Sequence, residues 1–433
     1  MSEFARRRAS ACAALLALSA APAFAQNCPD PESLTRDFSE PLATVRYLAD
    51  DALEGRLAGS PGERCAGDYI ARRLRALGLR GGADNGSFFQ TVPLTVASDP
   101  HGGASPVTAT TTGRNVVAVL EGADPALRDE VVVIGAHYDH LGLGGSGSLA
   151  PGTTAIHNGA DDNASGIAAL LEAAAQLATG PRPARSIVFV AFTGEEMGLL
   201  GSAHFVRNPP IPLDRARAML NMDMVGRLED DPLIVYGVGT ATEWAELVER
   251  RAAEAGITVA LQPDGVGPSD HTSFYLRDIP VLHFFTNAHG DYHKPSDDWD
   301  RVDADGIARI ATLVARIARD VAGPEISLTL QKGAGAPAGA PSSGSGAWLG
   351  TVPDFTPVSR GVLLSGVTGG SPAEKAGIRG GDVLIRLGDH EVVDLQGFTD
   401  ALRAHEPGDE VEVVVIRDGR EVRLKAVLGR RGG

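Results

Sequence analysis

The sequence predicts an α/β fold with a mostly parallel central sheet covered by helices on both faces, followed by a small second domain. Three observations lead there. Short apolar runs rich in β-branched residues recur between residues 115 and 285, helical periodicity separates many of them, and a Gly/Ala/Pro/Ser stretch divides this region from a further set of strands. Strands that alternate with helices are joined by crossovers, which set neighbouring strands parallel and cover both faces of the sheet.

Residues 1–25 read as a secretory leader: Arg6, Arg7 and Arg8, an apolar run over 11–21, then Ala23-Phe24-Ala25 as a small-residue cleavage signal. That run, ended by Pro22, is too short to span a bilayer, and no later segment qualifies, so no membrane span is expected. Export to the periplasm or the medium removes Cys12 with the leader and leaves Cys28 and Cys65. An even pair in an oxidising compartment predicts a Cys28–Cys65 disulfide.

Residues 26–331 form the predicted main domain. Its β runs fall at 115–120, 131–136, 186–192, 218–222, 233–236 and 281–285. A helix over 166–179 has Ile167, Leu170, Leu171 and Ala174 on one face, and a second over 303–322 repeats the pattern with Ile307, Ile310, Val314 and Ile317. Residues 332–346, KGAGAPAGAPSSGSG, carry no periodic apolar face and read as a flexible tether. Over 347–433 follow a strand at 361–367, a short helix at 371–376, a strand at 382–387, a helix at 394–405, and a hairpin. The hairpin joins 410–416 to 421–428 through Asp418-Gly419, a pair suited to positive φ.

The composition, 43% hydrophobic and 22% charged, is that of globular material. A formal charge of −16, with no basic cluster, argues against nucleic acid or an anionic membrane as partner.

Five short segments carry the chemistry: GAHYDH with His137 and Asp139, GADDNASG with Asp162, TGEEMG with Glu195 and Glu196, NMDMVG with Asp223, and DYHKPSDD with Tyr292 and His293. Three of them follow predicted strands directly, where ligand sites of α/β sheets collect. Carboxylates and imidazoles in this number suit divalent zinc, which provides a nucleophilic water at neutral pH. A serine hydrolase is disfavoured, because no G-x-S-x-G turn joins a strand to a helix. The glycine-rich stretch at 142–148 lacks the Gly-Lys-Ser/Thr of a phosphate loop and reads as a mobile loop.

In this order, and with the entry segment GRLAGSPGERCAGDYIARRLRALGL, the blocks resemble the co-catalytic zinc aminopeptidases over about residues 44–321. That family of secreted exopeptidases also has carboxypeptidase and glutaminyl cyclase relatives. The resemblance implies peptide substrates and two Zn²⁺ per chain, with Asp162 bridging both ions. His137 and Asp223 would complete one site, Glu196 and His293 the other. It further implies Asp139 as acceptor of the second ring N–H of His137, Glu195 as general base, and Tyr292 as hydrogen-bond donor to the developing oxyanion. Chemistry alone leaves Glu195 and Glu196 interchangeable. Asp270 and His271, in GPSDHTSFY, are expected to line the substrate pocket, while His140 and His157 add no required ligand.

Residues 347–429, with GVLLSGVTGGSPAEKAGIRGGDVLIRLGD, resemble a bacterial PDZ domain. Trp348-Leu349-Gly350 would then correspond to its carboxylate-binding loop, holding the C-terminus of a bound peptide. The reading is an exported aminopeptidase with a peptide-recruiting module. A carboxypeptidase of the same fold, and a binding protein with an inactive peptidase domain, are the alternatives.

Overall fold

The structure, a computed structural model, describes residues 28–96, 109–145, 147–150, 153–228, 232–332, 347–354, 358, 360–367, 370–393, 397–398, 401–402 and 404–430. The expected leader, nearly all of the tether and half of the 394–405 helix lie outside these residues.

Nine strands form the main sheet: β1 (Arg80–Gly81), β2 (Phe89–Val96), β3 (Ala109–Leu120), β4 (Val131–His137), β5 (Ser186–Phe192), β6 (Ala216–Met222), β7 (Leu233–Tyr236), β8 (Val259–Leu261) and β9 (Val281–Phe285). Their order is β1-β3-β5-β4-β6-β9-β7-β8, with β2 also on β3. The sheet is mixed: its centre is parallel, as expected, and antiparallel pairings adjoin it. Parallel pairing holds for β5-β4-β6-β9 and for β7-β8, whereas β3 meets β5, and β7 meets β9, antiparallel. Residues 121–130, which join β3 to β4 on the far side of β5, carry no helix that would cross back over the sheet and set the two strands parallel.

Helices α1 (Pro31–Thr35), α2 (Leu42–Leu48), α3 (Pro61–Ala76), α4 (Gly166–Thr179), α5 (Leu200–Arg207), α6 (Trp244–Ala255), α7 (His271–Tyr275) and α8 (Ala304–Val321) cover it. Every residue of β4 and β5 is buried. Alternate side chains of β4 enter opposite cores: Val132, Ile134 and Ala136 join α2, α3, α4, α6 and α8, while Val131 and Val133 join Phe192, Phe205 and Phe274 beside α5 and α7. Burial on both faces explains why these strands read as unbroken apolar runs. Ser60 caps α3 by accepting from the Glu63 N–H at 3.1 Å, and Asp303 caps α8 by accepting from Gly306 at 2.9 Å; each cap contributes about 1 kcal/mol.

A disulfide joins Cys28, ahead of α1, to Cys65 in α3. At the other end the chain stays bound as far as Gln331, whose N–H donates to Thr240 O at 2.8 Å after Leu330 bridges Ala241.

The second domain has an antiparallel sheet of β11 (Thr351–Asp354), β12 (Val362–Val367), β13 (Val383–Leu387), β14 (His390–Glu391), β15 (Glu410–Arg417) and β16 (Arg420–Val427), a two-strand pair of β10 (Ala347–Trp348) with β17 (Gly429–Arg430), and helix α9 (Pro372–Ala376). The β15–β16 hairpin turns at Asp418 and Gly419, with φ of 51° and 75°, as Asp-Gly predicts. Arg417 from this hairpin forks onto the buried Asp382 with two bonds of 2.7 Å.

Candidate metal centre

The last residue of β4 and the loops after β5 and β6, together with Asp162 ahead of α4 and His293 after β9, bring their side chains to one place. His137 Nε2 lies 3.2 Å from both Asp162 Oδ1 and Asp223 Oδ1. His293 Nε2 lies 3.1 Å from Asp162 Oδ2 and 3.3 Å from Glu196 Oε2. Two ligand atoms about 2.0–2.1 Å from one tetrahedral zinc would be roughly 3.4 Å apart, so these separations fit two cations sharing Asp162, one oxygen each. The donor set fits zinc chemically as well: buried carboxylates and imidazoles without an apolar alternative use.

Both imidazoles are oriented by their other nitrogen. His293 Nδ1 donates to Gly147 O at 2.8 Å, and the Leu149 N–H holds His293 O at 2.9 Å, fixing a residue with φ of +54°. His137 Nδ1 lies 3.3 Å from the carbonyl oxygen of Asp139 and 3.8 Å from its carboxylate. The carboxylate expected as its partner is thus the more distant of the two oxygens. The Asp139 carboxylate instead accepts the N–H groups of Glu195 and Glu196 at 3.1 and 3.4 Å, holding the glutamate turn against β4.

The Asp162 loop is anchored on every side. Asp297 accepts the N–H groups of Asp161 and Asp162 at 3.0–3.1 Å, and Asp161 accepts from Gly226 at 2.6 Å. Asn163 donates to Met222 O at 3.1 Å and accepts from Met224 at 3.2 Å, which ties this loop to the one carrying Asp223.

Burial opposes ionisation of Asp162, but bonds from His137 and His293 outweigh it and hold the carboxyl well below its usual range. Glu196 falls to about 2: burial and Asp162 push it up, and His293 and His140 more than reverse them. Burial raises Glu195 well above the usual carboxylate range, with Asp223 and Glu196 adding to it against His137. Its side chain lies 3.9 Å from His137 Nε2. Of the two adjacent glutamates, Glu196 is thus held ionised, whereas burial favours the protonated form of Glu195. Tyr292 stacks on His293 with ring centroids 3.9 Å apart, and burial followed by the charges of Asp162 and Glu196 keeps its phenol protonated.

Residues 115–318 match the model of Peptidase family M28, and residues 352–428 match that of the PDZ domain. The chain carries an M28 peptidase domain and a PDZ domain. Leupeptin-inactivating enzyme 1 of Streptomyces exfoliatus is 28% identical over 84% of this chain and 77% of its own length. Aminopeptidase YwaD of Bacillus subtilis is 30% identical over 47% of this chain, but that match spans only 43% of YwaD, less than half its length. Among solved structures, the aminopeptidase from Aneurinibacillus sp. strain AM-1 superposes with a TM-score of 0.51 at 18% identity, over 70% of this chain and 98% of that one. A glutaminyl cyclase of Porphyromonas gingivalis superposes at 0.50 and 21% identity over 64% and 96%. Such likeness shows the fold alone.

Within the M28 domain, the loop expected to line the substrate pocket is buried beside the centre. Asp270 and His271 are fully buried; His271 stacks on His283, ring centroids 4.4 Å apart. Burial lifts Asp270 to about 7 and drops His283 to about 4. Their neighbour Ser269 is the one that touches the centre, donating to Asp223 Oδ2 at 2.7 Å while accepting from Asn221 at 2.8 Å. His140, set aside from sequence, is also buried, with Nδ1 2.6 Å from Glu196 Oε1. His140 thus braces Glu196, and with Asp162 the two lie close enough together to hold a cation. His157 bonds Ser148 at 2.7 Å, away from the ligands. In the PDZ domain, Leu349 is buried in the core and its carbonyl accepts from Ala373 at 2.8 Å, while Gly350, at φ +82°, is pressed against Ser371.

Proposed function

We propose that the chain is an exported two-zinc aminopeptidase that removes N-terminal residues from peptides, with the PDZ domain recruiting peptide substrates or partners. The observation that carries the reading is the convergence of His137, Asp162, Asp223, Glu196 and His293 at 3.1–3.3 Å beside a glutamate of raised pKa. That the relatives are an aminopeptidase and a leupeptin-inactivating enzyme supports the substrate class. The leader-like residues 1–25 and the Cys28–Cys65 disulfide support export.

His137, Asp162 and Asp223 would hold one ion, and Asp162, Glu196 and His293 the other. When bound, zinc lowers the pKa of a coordinated water towards about 7 and polarises the scissile carbonyl. Glu195 accepts the proton of the attacking water on its carboxylate and delivers it to the departing amine, so it is restored each turnover. Tyr292, protonated throughout, donates to the oxygen on which negative charge develops.

Glu195→Gln keeps the size of the side chain and removes its basicity. It is expected to retain about two zincs per chain and to lose on the order of 10²–10⁴ in kcat. Elemental analysis with single-substrate kinetics checks this, and undiminished turnover refutes the role.

A further inference from the structure

The entry segment Gly55-Arg56-Leu57 supplies no ligand, yet Arg56 is completely buried at φ +48° directly behind the metal loops. Its guanidinium spends all three nitrogens on backbone carbonyls. Nε donates to Tyr138 O at 2.9 Å, Nη1 to Leu48 O at 2.5 Å and Asn158 O at 2.6 Å, and Nη2 to Gly159 O at 3.0 Å. Tyr138 stands between His137 and Asp139; Asn158 and Gly159 lead into Asp162. The same segment is stitched further to these loops, because the His140 N–H donates to Arg56 O at 3.2 Å and the Gly142 N–H to Gly55 O at 2.9 Å.

We infer that Arg56 is a positioning residue for the zinc centre, a buried fork that locks the His137 loop and the Asp162 loop in ligand geometry before metal arrives. The inference rests on the zinc reading above. Two effects of the guanidinium oppose one another. Its charge acts on Asp139, Asp162, Asp297 and Glu196 and, as a cation near cations, weakens zinc binding. Its planar fork removes loop freedom that zinc would otherwise have to suppress. Four bonds to carbonyls from three segments, none to a carboxylate, indicate that positioning dominates. Lysine retains the charge but offers one nitrogen, which cannot reach Leu48, Tyr138, Asn158 and Gly159 together; glutamine loses both charge and fork.

The test is zinc titration of the chelator-stripped full chain against a competing chromophoric chelator. Arg56→Lys and Arg56→Gln are both expected to bind zinc about 10–100-fold more weakly than wild type, the range for outer supports of metal ligands. Because Asp162 serves both ions, both binding steps weaken. Wild-type affinity in either variant, or tighter binding by Arg56→Gln as the charge effect alone requires, overturns the inference. Should a variant fail to fold, hydrogen exchange of the wild-type chain decides. The amides of residues 159–164 are expected to be protected without zinc, and protection gained only on adding zinc overturns preorganisation. A wild-type chain that takes up no zinc overturns both readings; zinc uptake with unaltered variants overturns this one alone.

Discussion

Glu63 occupies the third position of α3, where a glutamate usually reaches back to the helix start, but here it is completely buried and accepts from the Tyr138 hydroxyl. Burial raises its pKa despite that bond, so the folded chain holds the proton more tightly than the unfolded one. The stability this confers is fully present below the unfolded value of about 4.3 and is lost as pH rises through the folded value. Glu63→Gln removes the titration. Thermal melts of the zinc-free chain should therefore show the variant gaining on wild type as pH rises above the unfolded value; a constant difference contradicts the assignment. At this scale the ligand-bearing blocks are legible because each is a compact motif of chemically distinctive residues. Ser269, His140 and Arg56 are not, because their roles depend on which neighbour a turn points inward. Ser269 differs from Asp270 by one position, and only the loop path decides which of them meets Asp223.

Central strands are legible for the same reason they are stable: β5 is expected and found over 186–192, since burial on both faces demands an unbroken apolar run. The edges are not, because β1 and β8 have two and three residues, too few for periodicity to register, and antiparallel direction follows from connection length rather than composition. Among the loops, the one ahead of Asp162 depends on Gly159, at φ +55°. A Cβ there would come within 2.1 Å of Asp162 O and 2.5 Å of the His140 ring. Gly159→Ala adds a left-handed penalty of roughly 1–2 kcal/mol to that collision, so the loop must shift. The expected outcome is at least tenfold weaker zinc binding in a chain that still folds, read by the same chelator competition; unchanged affinity would show that the loop yields without moving Asp162.

The two-domain plan is legible from the compositional break at the tether, whereas the reach of the M28 domain's packing to Gln331 is not, since 324–331 has no periodic pattern. Truncation after Lys332 leaves Ile326 and Leu328 in place against the core and Leu330 bridged to Ala241. If the PDZ domain recruits peptides, the truncated chain keeps its kcat on a short N-terminal substrate and shows a raised KM on longer peptides with free C-termini; equal KM on both argues against recruitment. The central claim is metal-dependent removal of N-terminal residues. Its most direct test is turnover of matched peptides with free or acetylated N-termini by the purified chain, with and without chelator. Cleavage confined to free N-termini, abolished by chelation and restored by zinc, is the predicted result. Indifference to acetylation with residues lost from the C-terminal end, or cleavage that persists under chelation, would contradict it.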